Sequence, residues 1–410
     1  MINKIAIIGG GAAGFFAALN IGKNNEVHIF EKSSELLTKV RISGGGRCNV
    51  SNSNLDMENL REYYPRGYKE LRQAFSIFGN KDTIDWFRQR GVKLKTEADG
   101  RIFPESNNSE TIINCFVNGA DSENIKIHKG YNVIRISKNG SFQIHFKDRE
   151  ESFACDKIIL STGSVSSARG CKFLTDLGHK IIQPVPSLFS FDSYYSNLIG
   201  LEGISLKNVR ISLLKKDNKF LSGNYSAEGA FLITHKGISG PAVLKLSSYA
   251  ARELHDNNYK FIARINFIMI SDLDFEISFI RDISPSGYIA SHSHFGIPVR
   301  LWKRICEIAA IGDKLKWQEI SKKKIQILKN TLENYPLFIT AKTTNKEEFV
   351  NCGGVSLKEI DFNTMESKLI PGLYFTGEIL DIDGITGGYN FQSAWTTAYI
   401  AAKAVSSFNE

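Results

Sequence analysis

Three glycines in a row open the segment of this chain that is richest in reactive groups, Ser43-Gly44-Gly45-Gly46-Arg47-Cys48-Asn49. It sets a guanidinium, a thiol and a carboxamide on a backbone with almost no side-chain bulk. A guanidinium in such a place can stabilise negative charge on a bound ring or on a substrate enolate; its other reading is an arginine that bonds loop carbonyls. Cys48 can donate a proton to a carbon that receives hydride, or form an adduct, if it is exposed and its pKa is lowered. Otherwise it packs the loop. The third candidate for catalysis is His235, between Thr234 and Lys236, which can act as an acid or a substrate contact or stand as a structural histidine. His292-Ser293-His294 alternates on a loop with no supporting acid or cysteine cluster, so no metal site is expected.

These groups need elements to position them, and the first is at the start of the chain. Residues 5–14 read Ile-Ala-Ile-Ile-Gly-Gly-Gly-Ala-Ala-Gly. The apolar run suits a buried strand, Gly9 and Gly11 permit a tight turn close to a pyrophosphate, and Gly14 lets the next helix pack on the strands. A second strand, 27–30, closes at Glu31, where a carboxylate can accept hydrogen bonds from both ribose hydroxyls and disfavours a 2′-phosphate. The pattern predicts an adenine dinucleotide.

The rest of the chain favours FAD over NAD. The adjoining βαβ repeat that a nicotinamide would occupy is replaced by the glycine loop and a meander of short strands at 125–128, 133–137, 142–146 and 152–154. A buried parallel strand at 157–160 then ends in Ser161-Thr162-Gly163, on the side of the sheet where open α/β folds bind ligands. Late in the sequence, a strand at 373–376 runs into Gly377-Glu378, whose carboxylate can accept a ribityl hydroxyl. Gly387-Gly388-Tyr389-Asn390 opens a last, almost uncharged helix over 390–405. Its unpaired N–H groups can face the pyrimidine edge of a flavin and stabilise negative charge there. Lys32, Val133, Thr162, Gly163 and Asp383 complete the residues expected to line the cofactor.

At 410 residues, with hydrophobic residues at 42% and charged residues at 23%, the chain reads as a globular protein of two or three domains. The fold class is α/β: a discontinuous nucleotide-binding domain over 1–187 plus 350–410, a β domain over 188–270 plus about 336–349, and a helical insert over 271–335. Helices are expected over 70–90, 299–311 and 317–335. The formal net charge of +8 would attract phosphate-bearing partners. Lys322, Lys323 and Lys324, with Lys314, Lys316 and Lys329, form either a phosphate-contacting face or an ordinary solvated helix surface. Six cysteines without a Cys-x-x-Cys pair, an immediate first strand and the lack of a long apolar stretch lead us to expect a soluble, cytoplasmic protein without membrane association.

The loop Ser43-Gly44-Gly45-Gly46-Arg47-Cys48-Asn49-Val50-Ser51-Asn52 resembles the signature of the BaiN/RdsA-type NAD(P)/FAD-dependent oxidoreductases, the YhiN-like flavoproteins. Further pieces agree in order: Gly100-Arg101-Ile102-Phe103-Pro104, the segment from Thr234 to Pro241, Gly353-Gly354-Val355-Ser356-Leu357, and the stretch from Pro371 to Asn390. The resemblance spans essentially the whole chain. It implies a Rossmann-like FAD-binding domain of the two-dinucleotide type, holding FAD noncovalently, with a β-barrel and a small helical domain inserted. It also implies that Gly9, Gly11, Ala13, Gly14 and Glu31 hold the adenosine half. Residues 43–49 (Ser43, Gly44, Gly45, Gly46, Arg47, Cys48, Asn49) would line the flavin, and Gly377, Glu378 and Gly387, Gly388, Tyr389, Asn390 and Phe391 would hold ribityl and ring. Two departures stand out. Residues 161–170 replace the usual Ala-Thr-Gly-Gly and glycine-rich stretch, and Leu36-Leu37-Thr38 lacks a glycine before the retained basic residue Lys39.

The activity implied is a reductase in which NAD(P)H delivers hydride to FAD and the flavin passes it to an activated C=C bond. Such relatives are associated with uridine in ribosomal RNA, which becomes dihydrouridine, and with enones of steroid-like bile acids. An older label, amine oxidase, describes a different reaction, and a noncatalytic RNA-binding flavoprotein is the third alternative. With no second Gly-x-Gly-x-x-Gly, the nicotinamide donor would visit transiently.

Overall fold

The computed structural model describes residues 2–164, 172–193, 197–213, 225–343 and 350–406. The chain divides into two compact units, Met1–Pro186 with Lys346–Glu410, and Ser187–Asn345.

In the first unit, strand Lys4–Ile8 lies between Glu26–Glu31 and Lys157–Leu160, parallel to both, with Ile8 opposite Phe30 and Leu160. Lys126–Lys129 adds in parallel beyond the second strand, and Leu373–Phe375 in parallel beyond Lys157–Leu160. Two short antiparallel strands, Glu366–Ser367 and Ile360–Asp361, finish that edge. Because the central strands run the same way, their carboxyl ends share one edge of the sheet. The glycine turn, residues 161–163 and residues 376–378 all leave from that edge. Helices Ala12–Ala18 and Tyr389–Ser406 are buried against it, and Phe16 packs between Trp86 and Trp395, at ring centroid distances of 4.3 and 5.1 Å. Helix Tyr389–Ser406 carries a single charged residue, Lys403, and is buried along most of its length, as the near-uncharged sequence requires.

Three elements differ from the sequence expectation. The helix expected over 317–335 is a short 3-10 turn, Trp317–Glu319, followed by helix Lys322–Glu333, because Ser321 takes up extended backbone and caps the second piece by accepting the Lys324 N–H. The helix expected over 70–90 is two helices, Tyr68–Ile77 and Asn80–Gln89, with extended backbone at Phe78 and Gly79. The core decides this break: Phe78 stacks on Tyr399 at 4.3 Å and its carbonyl accepts the Thr396 hydroxyl at 2.8 Å, while Asp82 accepts the Gly79 N–H. Residues 125–128, expected in the meander, instead form the parallel edge strand. The true meander is the three-stranded antiparallel sheet Val133–Asn139, Ser141–Phe146 and Ser152–Cys155.

That parallel edge brings His28 against His128, with Nδ1 and Nε2 2.9 Å apart and the rings stacked, among Phe30, Phe153 and Tyr131. Burial is the main reason that both histidines have pKa values below the ordinary one; Lys126 also lowers both and Lys4 lowers His28, while Glu26 opposes the shift at His28. The rings are thus folded in their neutral form. The unfolded chain takes up protons below about pH 6.5 that the fold refuses, so this contribution to stability is present above that pH and is lost as pH falls below it. Thermal melts should show the melting temperature falling between pH 7.5 and pH 5, and His28→Phe should make the fall shallower; an equal slope in the variant would dismiss the histidine pair as its source.

The second unit is built on an antiparallel sheet with Ser205–Leu213 paired to Ser226–Ile233 on one side and Phe261–Asn266 on the other. Its ladder begins at Tyr335–Ile339 and ends at Ala341–Lys342, segments separated by Thr340 alone, so the sheet curls back on itself. Helices Leu273–Ile283, Val299–Ile308 and Lys322–Glu333 share one hydrophobic core with these strands, through residues such as Trp302, Trp317, Ile211 and Phe231. Among the described residues no helix is long and apolar enough to cross a membrane.

Candidate active site

The three glycines of the first motif have different tasks. A Cβ on Gly9, whose φ is +116°, would lie 2.3 Å from the Ser161 carbonyl oxygen, and one on Gly14 would lie 2.0 Å from the Gly9 carbonyl oxygen. Both are required by the fold itself. Gly11 has ordinary extended backbone, and a Cβ there would meet no atom within 4 Å. Protein packing gives no reason for glycine at this position, which leaves open space beside the backbone at the start of helix Ala12–Ala18.

Glu31 lies beside this turn, accepting the Gly10 N–H at 2.7 Å and both the N–H and hydroxyl of Ser33 at 2.9 Å. Its own carbonyl accepts the Tyr131 N–H at 2.9 Å, which brings Val133, two residues on, to the end of the second strand. Lys32 and Thr162 are exposed, and Gly163 has a φ of +76° with nothing within 4 Å of an added Cβ. Residues 165–171 of the departing segment lie outside the described residues.

Helix Thr38–Gly46 is distorted where the glycines begin: Ser43 is extended, and Gly44, Gly45 and Gly46 have φ of +59°, +68° and +81°. Cys48 also has positive φ, +61°, and its N–H closes the turn on the Ser43 carbonyl at 3.0 Å. Its thiol is fully buried, and burial pushes it up to about 12. Cys48 is thus a neutral, enclosed group that packs the loop. Arg47 has a different setting. It donates to Glu97 at 2.7 Å, lies 3.9 Å over the Phe103 ring and reaches the Gly44 carbonyl at 3.4 Å. Arg101 also bonds Glu97, so two guanidinium groups share one carboxylate beside the glycine loop. The motif at 100–104 thereby explains itself: strand Arg101–Pro104 pairs with Ser51–Asn52 and carries Phe103 under Arg47.

The distant half of the site arrives from the carboxyl-terminal segment. The Thr376 N–H bonds the Leu160 carbonyl, the Thr376 and Ser161 hydroxyls are 2.7 Å apart, and Gly377 (φ +72°) lies so close to the first helix that its Cβ would be 3.0 Å from that of Ala13. Gly354 backs this turn, with no room for a Cβ beside the Ile379 carbonyl. Glu378 pairs with Lys39, which spans from the glycine-loop helix to the turn. Gly388 (φ +96°) presses on the Ser51 carbonyl at 2.5 Å from an added Cβ, Asn52 donates to the Gly387 carbonyl at 2.9 Å, and Trp395 donates to the Val50 carbonyl at 2.9 Å. With its amide oxygen turned towards the last helix, Asn49 accepts the Gly388 N–H at 3.0 Å. Asn390 clamps Gly384 through both its amide groups, and Phe391 stacks on Trp395 at 5.4 Å.

Asp383, one of the residues expected to line the cofactor, is held by an arginine. Its side chain is fully buried and paired two-handed with Arg66, tying residues 63–67 to the 383–388 loop. The sequence offered no sign of Arg66, nor of Tyr64, whose hydroxyl donates to the Tyr389 carbonyl at 2.7 Å, because each partner is more than 300 residues away. His235 belongs to the second unit. It is exposed, on the turn between Ser226–Ile233 and Gly237–Ser239, near Glu202. His294 packs edge-on against Trp302 and Trp317, and Lys329 pairs with Asp274. Among the described residues no group of three or more side chains could hold a metal ion.

Residues 9–14, 43–49, 376–378 and 387–391 therefore meet at one edge of one parallel sheet. The family described as HI0933-like protein Rossmann domain matches residues 3–404. The chain belongs to that family. It is 28% identical over 412 residues to a ribosomal RNA dihydrouridine synthase of Haemophilus influenzae, covering 98% of both chains. It is 26% identical to a protein of the same name from Escherichia coli, covering 97% of this chain and 96% of the relative. A 3-dehydro-bile acid delta(4,6)-reductase of Clostridium scindens is 28% identical, with 98% and 99% covered. Among solved structures, a 3-ketosteroid-delta4-(5alpha)-dehydrogenase from Rhodococcus jostii shares the fold with a TM-score of 0.53 at 11% identity, covering 99% of this chain and 97% of that one. The protein is an oxidoreductase with a flavin-binding Rossmann fold. Its residues fit FAD, with open space before Gly11, an acid at the end of the second strand, and a helix amino terminus set against the glycine loop.

Proposed function

We propose that this protein is a reductase that takes hydride from NAD(P)H and delivers it through FAD to the C5=C6 bond of uridine in ribosomal RNA. The observation that carries this reading is full-length kinship with two ribosomal RNA dihydrouridine synthases. The net charge of +8 also suits a polyanionic substrate. When bound, FAD supplies the reversible acceptance and donation of hydride.

The remaining work is done by the chain. Gly11 and the amino terminus of helix Ala12–Ala18 receive the pyrophosphate, and Glu31 receives the ribose. Glu378, steadied by Lys39, takes the ribityl chain. The first turn of helix Tyr389–Ser406 offers backbone N–H donors where negative charge develops. Arg47, held by Glu97 and Phe103, supplies positive charge at the glycine loop. Reduction of a conjugated uracil adds hydride at C6 and a proton at C5, so a proton donor is needed as well.

A second reading, reduction of a small enone, is favoured by the bile acid relative at equal identity. Nucleosides from ribosomal RNA of strains with and without the gene separate the two. Dihydrouridine should disappear on deletion; unchanged content would move the substrate to a small unsaturated molecule. The purified protein should also lose its yellow absorbance with NADH or NADPH in the absence of oxygen, and persistence of the oxidised spectrum would reject the nicotinamide donor. Hydrogen peroxide formed on amine addition would point to an oxidase.

A further inference from the structure

Adjacent tyrosines beside the last helix are treated oppositely by the fold. Tyr64 is fully buried, and its hydroxyl is committed to the Tyr389 carbonyl at 2.7 Å. Tyr63 is half-buried, and among the described residues its hydroxyl makes no hydrogen bond to the protein. Its ring is nevertheless fixed. It stacks on Tyr389 at 4.9 Å with 26° between the planes, and its carbonyl accepts the Ile385 N–H at 2.8 Å. Tyr389 in turn covers Gly387, where an added Cβ would lie 3.0 Å from the Tyr389 ring. Tyr63 is thus a firmly placed phenol whose hydroxyl is left open to solvent or a ligand, next to the glycine pair that opens helix Tyr389–Ser406. Phenylalanine would make the same stack, so the hydroxyl is not needed to hold the ring and is available to a ligand.

We propose that Tyr63 is the proton donor of the reduction, its hydroxyl facing the unsaturated bond of the substrate. This rests on the reductase reading above. As hydride from the reduced cofactor forms a C–H bond at one carbon of the double bond, the Tyr63 O–H bond breaks and its proton forms the C–H bond at the other. The tyrosinate recovers a proton from solvent, which the half-exposed position allows. Burial, with Asp56 and Glu62 nearby, raises the pKa of this phenol and keeps it protonated at neutral pH.

The test separates the half-reactions of the FAD-loaded enzyme. Tyr63→Phe keeps the ring and should match the wild type in melting temperature, in reduction by NAD(P)H and in reoxidation by oxygen. Reoxidation by ribosomal RNA from the deletion strain, or by 2-cyclohexenone if only the enone is a substrate, should slow by about 100-fold or more. If the wild type is reoxidised by one of these and Tyr63→Phe keeps pace within threefold, the assignment to Tyr63 is wrong while the reductase reading stands. If the wild type is reoxidised by neither, both fall.

Discussion

Gly11→Ala is expected to leave the fold intact and to cost the protein its FAD. A methyl group at this position meets no protein atom within 4 Å and asks for no unusual backbone angle. The poorer helix cap and the stiffer unfolded chain each change stability by less than about 1 kcal/mol and with opposite sign. The same methyl group would occupy the space in which the pyrophosphate must approach the backbone, lengthening charge-assisted hydrogen bonds worth about 1.5–3 kcal/mol each. Affinity for FAD should fall by roughly 100-fold. Titration of the apoprotein with FAD, alongside a melt of the apoprotein, reads both quantities. Gly9→Ala and Gly14→Ala are the controls, since their Cβ atoms would strike backbone at 2.3 and 2.0 Å and should destabilise the apoprotein itself. Wild-type affinity in Gly11→Ala would remove the pyrophosphate from this turn.

Arg66→Leu should be the most damaging single change outside the glycine segments. It strips the guanidinium from Asp383, whose side chain has no exposed surface, and a buried ion pair broken from one side costs about 3–5 kcal/mol. Replacing both partners with apolar residues should recover much of the loss, because no buried charge is then left behind. Denaturant unfolding of Arg66→Leu, Asp383→Leu and the double variant measures this directly. Purely additive losses would show that the pair does not brace the 383–388 loop.

These two experiments bear on the parts of the site that could be read differently well from the residues. The glycine turn, Glu31, the glycine loop and the closing Gly-Glu and Gly-Gly segments were legible, because each depends on local backbone geometry and a short spacing. The motif alone treats Gly9, Gly11 and Gly14 alike. Only the packing separates two glycines demanded by neighbouring backbone from one left open to a ligand. Arg47 and Cys48 are adjacent in the chain and equally reactive on paper, yet one lies on Phe103 with Glu97 and the other is sealed in the core. The partner of Asp383, Arg66, is visible only in the fold.

By itself, the sequence determined that a Rossmann-type strand, turn and helix begin the chain and that the last helix is buried, and it marked out the glycine-rich segments, far apart in the chain, that the fold brings near one another. Such features follow from side-chain size, φ preference and apolar periodicity within a few residues. The tertiary structure alone decided which groups face each other: the break at Phe78, the His28–His128 stack, the Arg66–Asp383 brace and the free hydroxyl of Tyr63 beside Tyr389. Apart from the break, these depend on partners outside any local window, and the break itself is made by Thr396 and Tyr399. Contact between distant residues is set by burial and hydrogen-bond satisfaction across the whole core, which no short stretch of chain can express.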